Sequence, residues 1–199
     1  QPGIESLSTP VLALMKKGAT ALQNARLLKW SAEYGIDVIW NLLYGFPGET
    51  AADYEAMAAM IPSLVHLAPP DLCEVMVYRF SPFFERPAEF GLRVERPLPY
   101  YPLLYDLDES ALWDVAQAFE HSHLDGSAPD AFVGGVREEV ARWRRDAPRN
   151  YRGLMYRRGP GFLTVTDPRT TTANGSGVLR YELDEDHARG YLACDAGAK

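Results

Sequence analysis

Two short segments gather the residue types that can hold a polar organic ligand. The first is Gln1-Pro2-Gly3-Ile4-Glu5-Ser6 and the second is Leu42-Leu43-Tyr44-Gly45-Phe46-Pro47-Gly48-Glu49-Thr50. A carboxylate such as Glu5, with the hydroxyl of Ser6 beside it, accepts hydrogen bonds from a ribose or an ammonium group. A glycine such as Gly45 lets backbone approach a flat ring closely. Both segments are expected at the C-terminal ends of consecutive strands. In α/β folds, ligands bind where loops leave the C-terminal ends of parallel strands. Glu49 suits a helix entrance, where the helix dipole favours an acid. Asn41 is polar within an apolar strand and is either a satisfied core amide or a group reaching a ligand. Arg79, between Tyr78 and Phe80, must pair with Glu74 or Glu85 or face a cavity, because an unpaired buried guanidinium is costly.

The elements that position these groups alternate. Thr9 and Pro10 can open a helix that ends at Gly18. Thr20 and Gln23 form a capping box for a second helix, which buries Leu27, Leu28 and Trp30 and stops at Gly35. Residues 36–44 are apolar on both faces, as in a covered parallel strand. Thr50 and Asp53 cap a helix to about Leu67, and a third strand spans Glu74 to Phe80. Strand and helix alternating with short loops imply a parallel sheet. Residues 81–107, with Pro82, Pro87, Pro97, Pro99 and Pro102, suggest an ordered irregular wrap in which Tyr100, Tyr101 and Tyr105 are covered. Beyond it, Asp108 starts a helix carrying Leu112, Val115, Ala116 and Phe119, and His121 and His123 end it. A second helix near Asp130–Arg145 buries Val133, Val136, Val140 and Trp143; Trp30 and Trp113 are further core candidates. Leu154–Arg157 and Phe162–Thr166 make a hairpin. A polar loop covers Thr170–Gly177, a strand Val178–Leu183 and a helix Asp184–Ala193.

Composition excludes several classes. The 199 residues are 47% apolar and 24% charged, and no apolar run approaches the ~20 residues of a membrane span. Without a signal peptide, a cytoplasmic setting is expected. A net charge of −7 argues against a nucleic-acid partner. The basic stretch from Arg137 to Arg158 is either a solvated helix face with its following loop or a patch for an acidic peptide. Cys73 and Cys194 are too far apart in sequence to suggest a metal pair.

The two segments together, about forty residues apart with Met15-Lys16-Lys17-Gly18-Ala19-Thr20 between them, resemble radical-SAM enzymes of the cobalamin-binding type. Tyr78-Arg79-Phe80-Ser81-Pro82-Phe83-Phe84-Glu85, Pro87 to Gly91, Leu163 to Arg169 and Tyr191 to Asp195 resemble the members that mature ribosomally made peptides. The resemblance implies the C-terminal half of a partial (β/α)6 TIM-type barrel over residues 1–82 (strands four to six, the sixth being Val75 to Phe80). A linker follows over 83–107, then a small α+β module over 108–199, for which a winged-helix-like form is one option. It implies S-adenosylmethionine held by Glu5, Ser6, Asn41, Tyr44 and Gly45, and a substrate or cobalamin cavity near Arg79 and Ser81. The precursor peptide is the implied partner. Reductive cleavage of S-adenosylmethionine would give a radical that abstracts a hydrogen, and methylcobalamin would donate a methyl group. The family's Cys-x3-Cys-x2-Cys run for its 4Fe–4S cluster is not in this sequence, nor is a cobalamin domain. The expectation is therefore a C-terminal fragment, inactive alone, with no metal ligands of its own. Methylthiolation or cyclisation in place of methylation, and a non-catalytic α/β peptide-binding module, are the alternatives.

Overall fold

A computed structural model describes residues 1–169, 171–172 and 175–196. The chain is mixed α/β, and no closed barrel forms among the described residues. Ser8, not Thr9, caps α1 (Thr9–Leu14), and Pro10 sits in its first turn, where its missing N–H costs nothing. The Thr20–Gln23 capping box opens α2 (Ala21–Glu33) as expected, and Gly35 follows the helix at φ +74°. The buried stripe of α2 is Asn24, Leu28 and Ser31. Leu27 and Trp30, expected inside, are 39% and 41% exposed.

Strand β1 is only Asn41–Tyr44, and it runs parallel to β2 (Asp71–Glu74). The expected strand over 36–44 is shorter because its neighbours are. Glu5 makes one parallel bridge to Leu42, and β2 covers four residues, so positions 36–40 have no ladder to join. Between β1 and β2 lies α3 (Ala51–Leu64), opened by the expected Thr50–Asp53 capping box. The third strand is likewise divided. After β2, the Val75 N–H donates to the Tyr44 carbonyl (2.8 Å), and the chain then leaves for a second sheet as β3 (Val77–Tyr78). Phe80, at φ +65°, ends β3 in a turn.

Residues 81–107 form more regular structure than the prolines suggested. Ser81 caps α4 (Pro82–Glu85), a 3-10 turn spans Pro87–Phe90, and β4 (Leu92–Pro97) and α5 (Tyr101–Leu104) follow. Only Tyr101 of the three tyrosines is buried; Tyr100 and Tyr105 are 44% and 48% exposed. The helix from Asp108 is α6 (Glu109–Val115). Phe119, His121 and His123 do not continue it. They lie on β5 (Ala118–His123), which pairs antiparallel with both β3 and β4. The apolar residues 112, 115, 116 and 119 imitate a helix face across an element boundary, so a support of the two histidines by a helix terminus does not arise.

Helix α7 (Gly134–Asn150) buries Val136, Val140 and Trp143, with Val133 buried just ahead of it, as expected, and packs them with Tyr54, Met57 and Ile61 of α3. The main core therefore spans from Ile4 to Trp143 and crosses the expected boundary near residue 107. Trp113 is half-buried against Phe84 and Phe119 in a second cluster. The third cluster belongs to the C-terminal strands. The expected hairpin is β6 (Met155–Gly159) and β7 (Phe162–Asp167). β8 (Thr171–Thr172) and β9 (Gly175–Ser176) pair with each other, β10 (Leu179–Asp184) adds to β7, and α8 (Glu185–Ala196) covers the sheet. Of the polar loop expected over 170–177, residues 170, 173 and 174 lie outside the described residues.

One polar joint ties this hairpin to the main core. Arg169 makes a paired contact with Asp167 (2.8 and 2.7 Å) and donates to the Ser63 carbonyl (2.6 Å), while the Arg152 N–H donates to the His66 carbonyl (2.9 Å). Burial, with the Arg169 charge adding to it and Asp167 opposing, holds the His66 imidazole neutral, its pKa lowered to about 4. The unfolded chain binds that proton near pH 6.5. Stability from a neutral His66 is thus present above pH 6.5 and lost as the pH falls towards 4. Urea midpoints measured across this window should fall with pH, and the His66→Gln variant should show a shallower fall.

Candidate functional site

The C-terminal end of β1 and the turn beside it carry the candidate site. Glu5 has φ +59°, a conformation that a residue with a Cβ adopts only when its surroundings hold it there. Asn24 supplies that hold. Its side-chain amide donates to the carbonyls of both Ile4 and Ser6, at 2.9 Å each, and the Leu43 N–H donates to the Glu5 carbonyl (2.8 Å). The backbone is pinned, and the Glu5 side chain stays partly exposed, at 20%. Its partner is Lys17, whose Nζ lies 3.1 Å from Oε1. A Cβ on Gly3 would come within 3.3 Å of that same oxygen, so glycine leaves the carboxylate its room. A partly exposed pair of this kind is worth about 0–1 kcal/mol, so a ligand cation can replace Lys17 at little cost.

The other expected ligand groups are arranged differently. Ser6 is sealed in the core at 0% exposure, where its hydroxyl donates to the Met57 sulfur (3.6 Å) and accepts from the Ser8 N–H (3.1 Å). Asn41 is the first residue of β1 and Tyr44 the last, which places Asn41 about 10 Å along the strand from the ligand edge. Tyr44 lies at that edge, with the Arg137 guanidinium 5.5 Å from its ring centre. Arg79 pairs with neither Glu74 nor Glu85. Its guanidinium donates to the carbonyls of Ala116 (2.6 Å) and Trp113 and lies against the rings of Phe84 and Phe119, closing the end of α6. Ser81 caps α4 by accepting from the Phe84 N–H. Both are held in structural roles.

Gly45 is the largest departure. Its backbone is left-handed (φ +88°), and its backbone groups are taken. Its N–H donates to Glu49 Oε2 (2.9 Å) and to the Tyr54 hydroxyl (3.3 Å), and its carbonyl accepts from His123 Nε2 (3.0 Å). Because a carbonyl only accepts, Nε2 carries a proton, and Nδ1 lies 2.7 Å from the Ser127 hydroxyl. Glu49 does not serve the helix entrance. It curls back to collect the N–H groups of Gly45 and Phe46 and the Tyr54 hydroxyl, while its Oε1 is buried without a partner. Burial raises the Glu49 pKa, and the bonds from Tyr54, Gly45 and Phe46 only partly oppose that. Tyr54 is raised in turn, first by burial and then by Glu49.

Beside this loop is a cleft of about 350 Å³, floored by Phe46 and Phe90 and flanked by Leu14, Lys16 and Asp125. Lys16, at φ +56°, places its amine 5.1 Å from the centre of the Phe90 ring. Among the described residues, no three His, Cys, Asp or Glu side chains converge to hold a metal ion, and Cys73 and Cys194 are free.

Asn24 and Tyr54 were not singled out in the sequence, and His123 was read only as the end of a helix. Asn24 left a signal, a polar residue on the buried stripe of an amphipathic helix. His123 left none, since 78 residues separate it from Gly45.

The buried node around Glu49 has a measurable consequence. Tyr54→Phe removes a donor to a buried carboxylate and should lower stability by about 1–3 kcal/mol. It should also move the Glu49 pKa further up, because the tyrosine bond lowers it. Urea unfolding and an NMR titration of Glu49 test the two effects separately.

Compared with protein-family models, curated proteins and solved structures, the chain matches none.

Proposed function

We propose that this chain forms part of the barrel wall of a cobalamin-dependent radical-SAM enzyme that C-methylates a ribosomal precursor peptide in the cytoplasm. The iron–sulfur cluster and cobalamin would be held by residues outside this sequence. The observation that carries the reading is the Glu5 turn: a carboxylate on left-handed backbone, pinned by a core amide, next to the end of a parallel strand. The parallel succession of the Glu5 bridge, β1 and β2 supports an arc of such a wall.

S-adenosylmethionine, when bound and reductively cleaved, supplies a radical able to abstract hydrogen from an unactivated carbon. Glu5 fits the ammonium and ribose hydroxyls of that molecule, which are donors seeking a carboxylate. Lys17 fits its carboxylate. Tyr44 stands at the same edge. Gly45 does not fit the role of offering backbone to a ring while Glu49, Tyr54 and His123 hold its N–H and carbonyl. This engaged Gly45 favours a second reading, a non-catalytic α/β module that binds peptide.

One variant separates the two. In the enzyme carrying this chain, reconstituted without oxygen, Glu5→Ala should weaken S-adenosylmethionine binding by about tenfold or more, the loss of a hydrogen bond to a charged group. Equilibrium dialysis with labelled ligand measures it, and circular dichroism checks the fold. Unchanged affinity sinks the enzyme reading and leaves the module.

A further inference from the structure

The C-terminal sheet has the strand order β10, β7, β6, so β6 is an outer strand. In an antiparallel pair, every second residue directs its N–H and carbonyl away from its partner. Among the described residues, β6 thus has no backbone partner along its free side. Its side chains are also open: Met155, Tyr156, Arg157 and Arg158 are all exposed, whereas Leu163, Val165 and Asp167 of the adjacent β7 are buried.

Charge distinguishes this edge from the rest of the basic stretch. Arg144 is paired with Asp71, Arg145 with Asp146, Arg152 with Asp37 and Arg169 with Asp167. Arg149 donates to the Asn150 side chain. Among the described residues, Arg157 and Arg158 have no carboxylate within ion-pair distance, in a chain of net charge −7. Successive strand residues point to opposite faces, so the two guanidinium groups project above and below the sheet at one level of the edge.

We propose that the free edge of β6 docks an extended acidic peptide, which adds as a further strand and places two adjacent carboxylates on Arg157 and Arg158. Adjacent residues of the added strand also alternate faces, so an acidic pair meets both arginines at once. The exposed Met155 and Tyr156 meet flanking apolar residues. Main-chain pairing supplies affinity, and the arginines select the charge. This rests on the peptide-substrate reading and names where such a peptide is gripped and what it carries.

The competing role for charge on an edge strand is to repel other strands and so keep the protein from aggregating. The 199-residue chain is titrated into a fluorescein-labelled extended peptide of about ten residues, with two adjacent Glu among Val and Thr, and anisotropy is read. Docking predicts saturable binding that weakens as salt rises. Arg157→Glu with Arg158→Glu should weaken it by at least about tenfold, as should a Gln-for-Glu peptide. A peptide N-methylated at alternate amides should lose binding too, because it cannot pair as a strand. Both arginines are exposed, so the variant should keep the wild-type circular dichroism. No binding to the wild-type chain, or equal binding by the charge-reversed variant or the N-methylated peptide, overturns the proposal. The probe needs no S-adenosylmethionine, and the Glu5→Ala chain should bind it as the wild type does. Failure here is therefore separate from failure of the enzyme reading.

Discussion

The arrangement depends first on two buried tryptophans. Trp40 and Trp143 are both 0% exposed and meet edge to face, with ring centres 6.1 Å apart. Their indole N–H groups donate to successive carbonyls, Trp40 to Ala68 (2.9 Å) and Trp143 to Leu67 (3.0 Å). A buried tryptophan must satisfy its N–H, and here the obligation is met at one place in the chain. That place is the link from α3 to β2. The clamp thus sets where β2 begins beside β1 and holds α7 against α3. Arg144, one residue on, adds a bond to the Pro70 carbonyl (3.1 Å) and an ion pair to Asp71.

With the sheet fixed in this way, its C-terminal edge is governed by polar pins. Asn24 holds the Glu5 turn from beneath. Glu49, Tyr54 and His123 hold Gly45 from three directions. The two pins have different chemical effects. Asn24 satisfies backbone carbonyls and leaves the Glu5 carboxylate partly exposed beside Lys17. The Glu49 node satisfies the backbone of Gly45 and Phe46, and buries a carboxylate with one oxygen unmatched. A buried acid with an unmet oxygen and a raised pKa is costly to hold in its ionised form.

Arg79 shows how a residue type misleads when its partners are distant in sequence. A guanidinium between two aromatic residues suggested a carboxylate or a cavity. The structure satisfies it with backbone carbonyls at the end of α6, more than thirty residues on, and with two aromatic faces. Both solutions meet the same desolvation demand, and only the placement of the α6 end beside Arg79 selects between them.

The sequence by itself determined what is local. The capping boxes at Thr20 and Thr50, the stop at Gly35, the α7 stripe of Val136, Val140 and Trp143, and the β6–β7 hairpin all follow from residues within a turn or two of one another. These features depend on hydrogen bonds and side-chain spacings that the chain satisfies without reference to the rest of the fold. Tertiary structure decided the extent of β1, the split between β2 and β3, the strands β4 and β5, and the fate of Ser6, Asn41, Gly45 and Arg79. Strand length depends on a partner from elsewhere in the chain, and Phe119 could complete a helix stripe or a sheet face equally well by spacing alone. Whether a polar group faces ligand or core depends on which distant donor reaches it first, as His123 reaches Gly45 across 78 residues. Residue order does not encode that distance; the packing of the two sheets does.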